Sequence, residues 1–168
     1  MNNGQALHKE FLKELEAEAA ASRKCLERIP EKIYDWKPHE RSMAMHSLAY
    51  VVADIPRWIQ QIVETPSIDF ATYNNAQPKT TSEMVSHFDV NLKDAKKALE
   101  HTTDEALSET FSLKNKGQVL MSMPKKDFIT NSINHLVHHR GQLTVYMRLN
   151  NIPVPSIYGP SADENRWN

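Results

Sequence analysis

The chain has 168 residues, with 20 basic against 21 acidic side chains and a formal net charge of −1, so it lacks the basic stripe that holds nucleic acid and a nucleic-acid function is not expected. One ordinary domain spanning 1–168 accounts for that length. The single cysteine, Cys25, closes no internal disulfide, Met1–Gln5 lack the order of a signal peptide, and no apolar run reaches the roughly 18 residues of a membrane span, which together point to the cytoplasm and away from a membrane.

Apolar residues recur at steps of three and four from Gln5 to Ile29, through Phe11, Leu15, Ala19, Leu26 and Ile29, which predicts an amphipathic first helix stopped by Pro30. Cys25 lies at the apolar edge and reads as a small buried hydrophobe. The proline-interrupted stretch 30–41 reads as a connection whose Tyr34 and Trp36 pack down. Ser42 is then placed to cap a second helix, Met43–Ala53, which is apolar nearly all round with His46 as its only ionisable group. Asp54 and Pro56 come next in the order of an N-cap and an early-helix proline, which predicts a kink before the helix resumes through Val63.

The polar stretch 64–79 is long enough to cross one end of a bundle and to line a site. A third helix is predicted from Thr81 or Ser82, with Met84, Val85, Phe88, Leu92, Ala95 and Leu99 inward and His87 and His101 as plain surface histidines. Residues 110–114 and 118–122 flank Asn115-Lys116-Gly117, the pattern of a hairpin whose glycine supplies a positive φ. Pro124 is placed to open the last long helix, which runs to about Asn150, and the tail after it is apolar enough to lie back on the rest.

The chemistry is concentrated in that last helix. Phe128, Ser132, His135, His139, Gln142, Tyr146 and Leu149 recur in one row beside Ile129, Ile133, Leu136, Leu143 and Met147, and both rows are expected to face the core. His135 and His139 are one turn apart, the spacing at which two ring nitrogens converge on one ion, whereas His138 falls on a more polar strip. An open zinc- or nickel-type centre usually takes three protein ligands, and His46, the lone polar ring of a buried helix, is the natural third. The plainer alternative is three core histidines that only pack and hydrogen-bond. Gln142 and Tyr146 read as packing groups that could also orient a ligand, Arg140 as an ion-pair donor, and Gly141 as a point of close helix approach.

Met45-His46-Ser47-Leu48-Ala49-Tyr50 after Trp36-Lys37-Pro38, then His135-Leu136-Val137-His138-His139-Arg140-Gly141-Gln142-Leu143 and Tyr146-Met147-Arg148-Leu149, together resemble the DinB-like (YfiT-like) metalloprotein superfamily. The tail Val154-Pro155-Ser156-Ile157-Tyr158-Gly159 is also similar to the segment after the last helix in that family. The resemblance implies an all-α, antiparallel four-helix bundle, up-down-down-up with a long crossover, often a homodimer. It also implies a divalent ion, nickel or zinc first and iron or manganese after them, held by His46, His135 and His139. Relatives implied by it include thiol-dependent transferases using low-molecular-weight thiols, a maleylpyruvate isomerase, hydrolases, and proteins named for induction by DNA damage. The leading expectation is therefore a metal-dependent transferase or hydrolase acting on a small molecule. A non-catalytic, stress-associated metal-binding protein is the alternative, because fold alone does not set activity.

Overall fold

Four long helices build the core, and what starts and stops each of them is visible in the side chains around its ends. A computed structural model describes residues 6–165; the predicted start of the first helix at Gln5 lies outside them. Helix α1, Leu7–Leu26, buries Phe11, Leu15, Ala19, Ser22, Cys25 and Leu26. It has no local side-chain cap, and a distant carboxylate serves instead: Asp104 accepts from the Leu7 N–H at 2.9 Å and the His8 N–H at 3.1 Å. The helix stops three residues short of Ile29 because Glu27 closes the last turn onto the Arg23 carbonyl at 3.0 Å, with Pro30 soon after. Cys25 is fully buried, and burial pushes its thiol up to about 11.

Helix α2, Met45–Glu64, begins later than expected and without Ser42. Its first free donors are satisfied by the connection before it, where the Trp36 carbonyl accepts from Met45 N–H at 2.8 Å and the Tyr34 carbonyl from His46 N–H at 2.9 Å. Across the predicted kink the helix continues as a single 20-residue element with Pro56 inside it. Asp54 is no cap but a buried carboxylate, 1% exposed.

The crossover after α2 contributes a strand the sequence did not reveal. β1, Ser67–Asp69, pairs parallel with β2, Thr110–Asn115, and β2 pairs antiparallel with β3, Gln118–Pro124, in the order β1-β2-β3. The predicted hairpin is present, with both Lys116 (φ 51°) and Gly117 (φ 79°) in the left-handed region of a two-residue turn. Asp69 steadies that turn by accepting from the Lys116 N–H at 2.9 Å and the Gly117 N–H at 2.6 Å.

Helix α3, Thr81–His101, carries a full capping box, in which the Thr80 side chain accepts from the Glu83 N–H at 3.1 Å while the Glu83 carboxylate accepts from the Thr80 N–H at 3.3 Å. Thr80→Ala should therefore lower stability by about 1 kcal/mol in urea denaturation. An unchanged midpoint would show that the cap contributes nothing. A single turn, α4 (Asp104–Leu107), leads into the sheet, and the last helix, α5 (Lys125–Leu149), starts directly after Pro124.

The long helices pack in a ring, α2 against α3 and α5, and α1 against α3 and α5. Leu15, Leu48, Val52, Ile59, Phe88, Leu99, Leu136 and Leu143 are completely buried at its centre. The tail does lie back: Ile152 is buried, and the Tyr158 hydroxyl meets Arg140. Among the described residues no helix is long and apolar enough to cross a membrane.

Candidate metal centre and the cavity beside it

α5 is buried along Ile129, Ile133, Leu136, Arg140, Leu143 and Met147, so the neighbouring row is turned towards its rim. His139 is 9% exposed, but His135 and Gln142 are exposed and Leu149 is 57% exposed, which corrects the expectation that both rows face the core. Gly141 is likewise open, with nothing within 4 Å of where a Cβ would stand, so it is not a point of close helix approach.

The predicted one-turn spacing brings two imidazoles face to face. His135 Nε2 lies 2.6 Å from His139 Nε2, with ring centroids 4.4 Å apart. The other nitrogen of His139, Nδ1, donates to Gln142 Oε1 at 2.7 Å. An amide oxygen can only accept, so in the neutral ring the proton sits on Nδ1 and the Nε2 lone pair is turned to His135. A hydrogen-bonded outer nitrogen is the usual support of a metal-ligating histidine. Partial desolvation of its ring, then the neighbouring His139 and His138, holds the His135 pKa below its ordinary value and favours the neutral ring that can ligate.

His46 is held through one of its two ring nitrogens. Its ring packs on Tyr34 with centroids 5.0 Å apart, and its Nε2 donates to the Pro78 carbonyl at 2.7 Å, tying the start of α2 to the end of the crossover. Among the described residues no three His, Cys, Asp or Glu side chains converge where they could hold an ion. The donor chemistry thus fits a divalent transition ion at two positions, His135 and His139. His138 packs edge-on against His139 at 5.2 Å.

His135 borders a cavity of about 510 Å³. Trp58 of α2 forms one wall, its ring edge-on to His135 at 5.5 Å. The crossover contributes Ile68, Phe70 and Tyr73, the sheet Leu113 and Met121, and α5 contributes Phe128, Asn131, Ser132 and His135. Behind this wall lies a network that sequence reasoning missed. The buried Asp54 carboxylate accepts from Trp58 Nε1 at 3.0 Å and the Tyr73 hydroxyl at 2.7 Å through Oδ2, and from His87 Nε2 at 2.9 Å through Oδ1. Arg57 stands at 3.9 Å, and its guanidinium lies over the Tyr73 ring at 4.6 Å. Burial would push the Asp54 carboxyl up, but the hydrogen bonds from His87, Tyr73 and Trp58, with the charge of His87, outweigh it and hold the group below its ordinary value. His87 is therefore no surface histidine: its side chain is 16% exposed and its ring stacks on Tyr50 at 5.6 Å. A signal was present in the sequence, since Asp54 and Trp58 are one helical turn apart in an otherwise apolar run.

Arg140 is 2% exposed and joins α5 to α1. It pairs with the Glu18 carboxylate at 2.5 Å and donates to the Glu18 carbonyl at 3.0 Å and the Tyr158 hydroxyl at 2.7 Å, while the Tyr158 hydroxyl in turn donates to Glu18 Oε2 at 2.8 Å. Tyr146 donates to the Met43 carbonyl at 3.2 Å and packs edge-on with Trp36. Both therefore serve as structural groups.

Residues 1–166 match the model of the DinB family. The chain belongs to that family. Among solved structures it is similar to a DinB-like protein from Bacillus cereus ATCC 10987, with TM-score 0.71 and 23% identity over 89% of this chain and 97% of that one. A DinB-like protein from Bacillus subtilis, YjoA, matches with TM-score 0.67 and 19% identity over 94% and 99% of the two chains. At these identities the likeness is one of fold. In sequence, the chain is 39% identical to YrdA of Bacillus subtilis (strain 168) over 62 residues, a stretch covering 37% of this chain and 34% of YrdA. Within the DinB fold the helices and the small sheet meet at the cavity, and His135 stands on its border.

Proposed function

We propose that this DinB-family protein binds a divalent transition ion, nickel or zinc first, through His135 and His139, and uses it to transform a small molecule held in the adjoining cavity, as a transferase or a hydrolase. The observation that carries this reading is the His135–His139 pair, whose ring nitrogens face each other at 2.6 Å beside a cavity of about 510 Å³. Gln142 supports it by fixing the proton of His139 on the far nitrogen. When bound, the ion would supply Lewis-acid charge for activating a water or a thiol. With only two imidazoles from the chain, positions would remain for that water or thiol and for the substrate. His46 would join as a third ligand through Nδ1, the nitrogen left free when Nε2 donates to the Pro78 carbonyl.

Equilibrium dialysis against nickel and zinc, with metal content read by atomic emission, tests this directly. The parent chain should retain about one ion, His135→Ala and His139→Ala should lose it, and His138→Ala should keep it. Gln142→Ala should weaken retention by roughly ten- to a hundredfold, the cost expected for an outer partner. His46→Ala separates two ligands from three: retention equal to the parent's leaves the ion to the pair, and a loss equal to that of His139→Ala makes His46 the third ligand. A parent chain that retains no ion removes the reading.

A further inference from the structure

The chemistry of the cavity walls restricts what can occupy them. Among the described residues, none of the side chains lining the cavity is Asp, Glu, Lys or Arg. Two of its aromatic residues own polar atoms, yet both send them out at the back: Trp58 Nε1 and the Tyr73 hydroxyl are bound by Asp54, so carbon faces are left towards the interior. The Ser132 hydroxyl is likewise engaged by the Phe128 carbonyl at 2.8 Å. Polar capacity is concentrated on α5, at Asn131 and His135, with Asn75 of the crossover besides. A chamber of about 510 Å³ falls inside the range of small-molecule sites, roughly 300–1,000 Å³.

We propose that the cavity binds an uncharged, largely apolar small molecule, which lays its carbon skeleton against Trp58, Ile68, Phe70, Leu113 and Met121 and its one polar group against Asn131 and His135. The inference rests on the proposed function in taking the His135 end as the reactive end. It sharpens that function in one respect. Away from the His135 end, a carboxylate or ammonium brought among these carbon faces meets no countercharge from the described side chains and loses its hydration, so the charged end of a low-molecular-weight thiol is not held there. Such a thiol would serve only as a co-substrate whose charged end is seated outside these walls.

The test uses a matched pair of fluorescent probes, neutral N-phenyl-1-naphthylamine and its sulfonated analogue 8-anilino-1-naphthalenesulfonate, titrated into the full chain. The neutral probe should bind saturably at one per chain, and the sulfonate at least tenfold more weakly. Met121→Glu should weaken the neutral probe by tenfold or more; its side chain lines the cavity and is 48% exposed, so the fold should tolerate the charge, as a thermal melt would verify. Phe70→Glu, at a position 53% exposed, repeats the test from the crossover. Equal or tighter binding of the sulfonate, no saturable binding of the neutral probe, or indifference to both glutamates would overturn the inference. Metal content of the same samples separates the two readings: a chain that holds an ion but no neutral probe refutes only this one, and a chain that holds the probe but no ion refutes only the metal.

Discussion

Asp54→Ala should destabilise the protein by about 3–5 kcal/mol, the range for removing one member of a buried charged network. The carboxylate is 1% exposed and receives three side-chain hydrogen bonds, from Trp58, Tyr73 and His87. Its loss leaves three part-buried donors without their acceptor and a void behind the cavity wall. The lowered pKa sets the sign with pH. A carboxyl whose folded value lies below its unfolded value, about 3.9, contributes stability fully present above that unfolded value and lost as pH falls through the folded one. Asp54→Asn should therefore flatten the acid side of the stability profile while costing less than the alanine at neutral pH. Urea midpoints from pH 2 to 7 would measure both. A loss below about 1 kcal/mol for Asp54→Ala, or an acid limb unchanged by Asp54→Asn, would show that the network carries little.

Arg140→Met should cost a similar amount, about 3–5 kcal/mol, because it leaves the Glu18 carboxylate, 12% exposed, without its cation. The guanidinium also holds the Glu18 carbonyl and the Tyr158 hydroxyl, so α1, α5 and the tail are loosened together. Combining it with Glu18→Gln should recover part of the loss, since a buried neutral amide is cheaper than a buried unpaired charge. A double variant no more stable than the single one would assign the cost to lost packing of the Arg140 stem.

What the sequence made legible depended on how local the cause was. His135, His139 and Gln142 share one helix, so their spacing alone foretold that they would meet, and Lys116-Gly117 announced its own turn. His46 illustrates the opposite case: a lone polar ring in an apolar run demanded a partner, but periodicity cannot say that the partner is the carbonyl of Pro78, 32 residues on. Asp54 looked like a cap because Asp followed by Pro so often begins a helix. Its actual partners, Tyr73 and His87, lie on other elements and only the folded chain brings them within reach. The same holds for β1, three residues whose extended form depends on pairing with β2, and for α1, capped by Asp104 from across the chain. Leu149 was misjudged because its row drifts from the core to the rim, and Gly141 because it lies on a face with nothing packed against it.

The side chain of Asp69 has a mechanical consequence. By accepting from the Ala71 N–H in its own loop and from the Lys116 and Gly117 N–H groups across the sheet, it rivets the crossover to the hairpin. Phe70 and Tyr73 on one piece and Leu113 and Met121 on the other are thereby joined into one wall of the cavity. Amide exchange in the two segments should therefore speed up or slow down in unison, and Asp69→Ala should uncouple them.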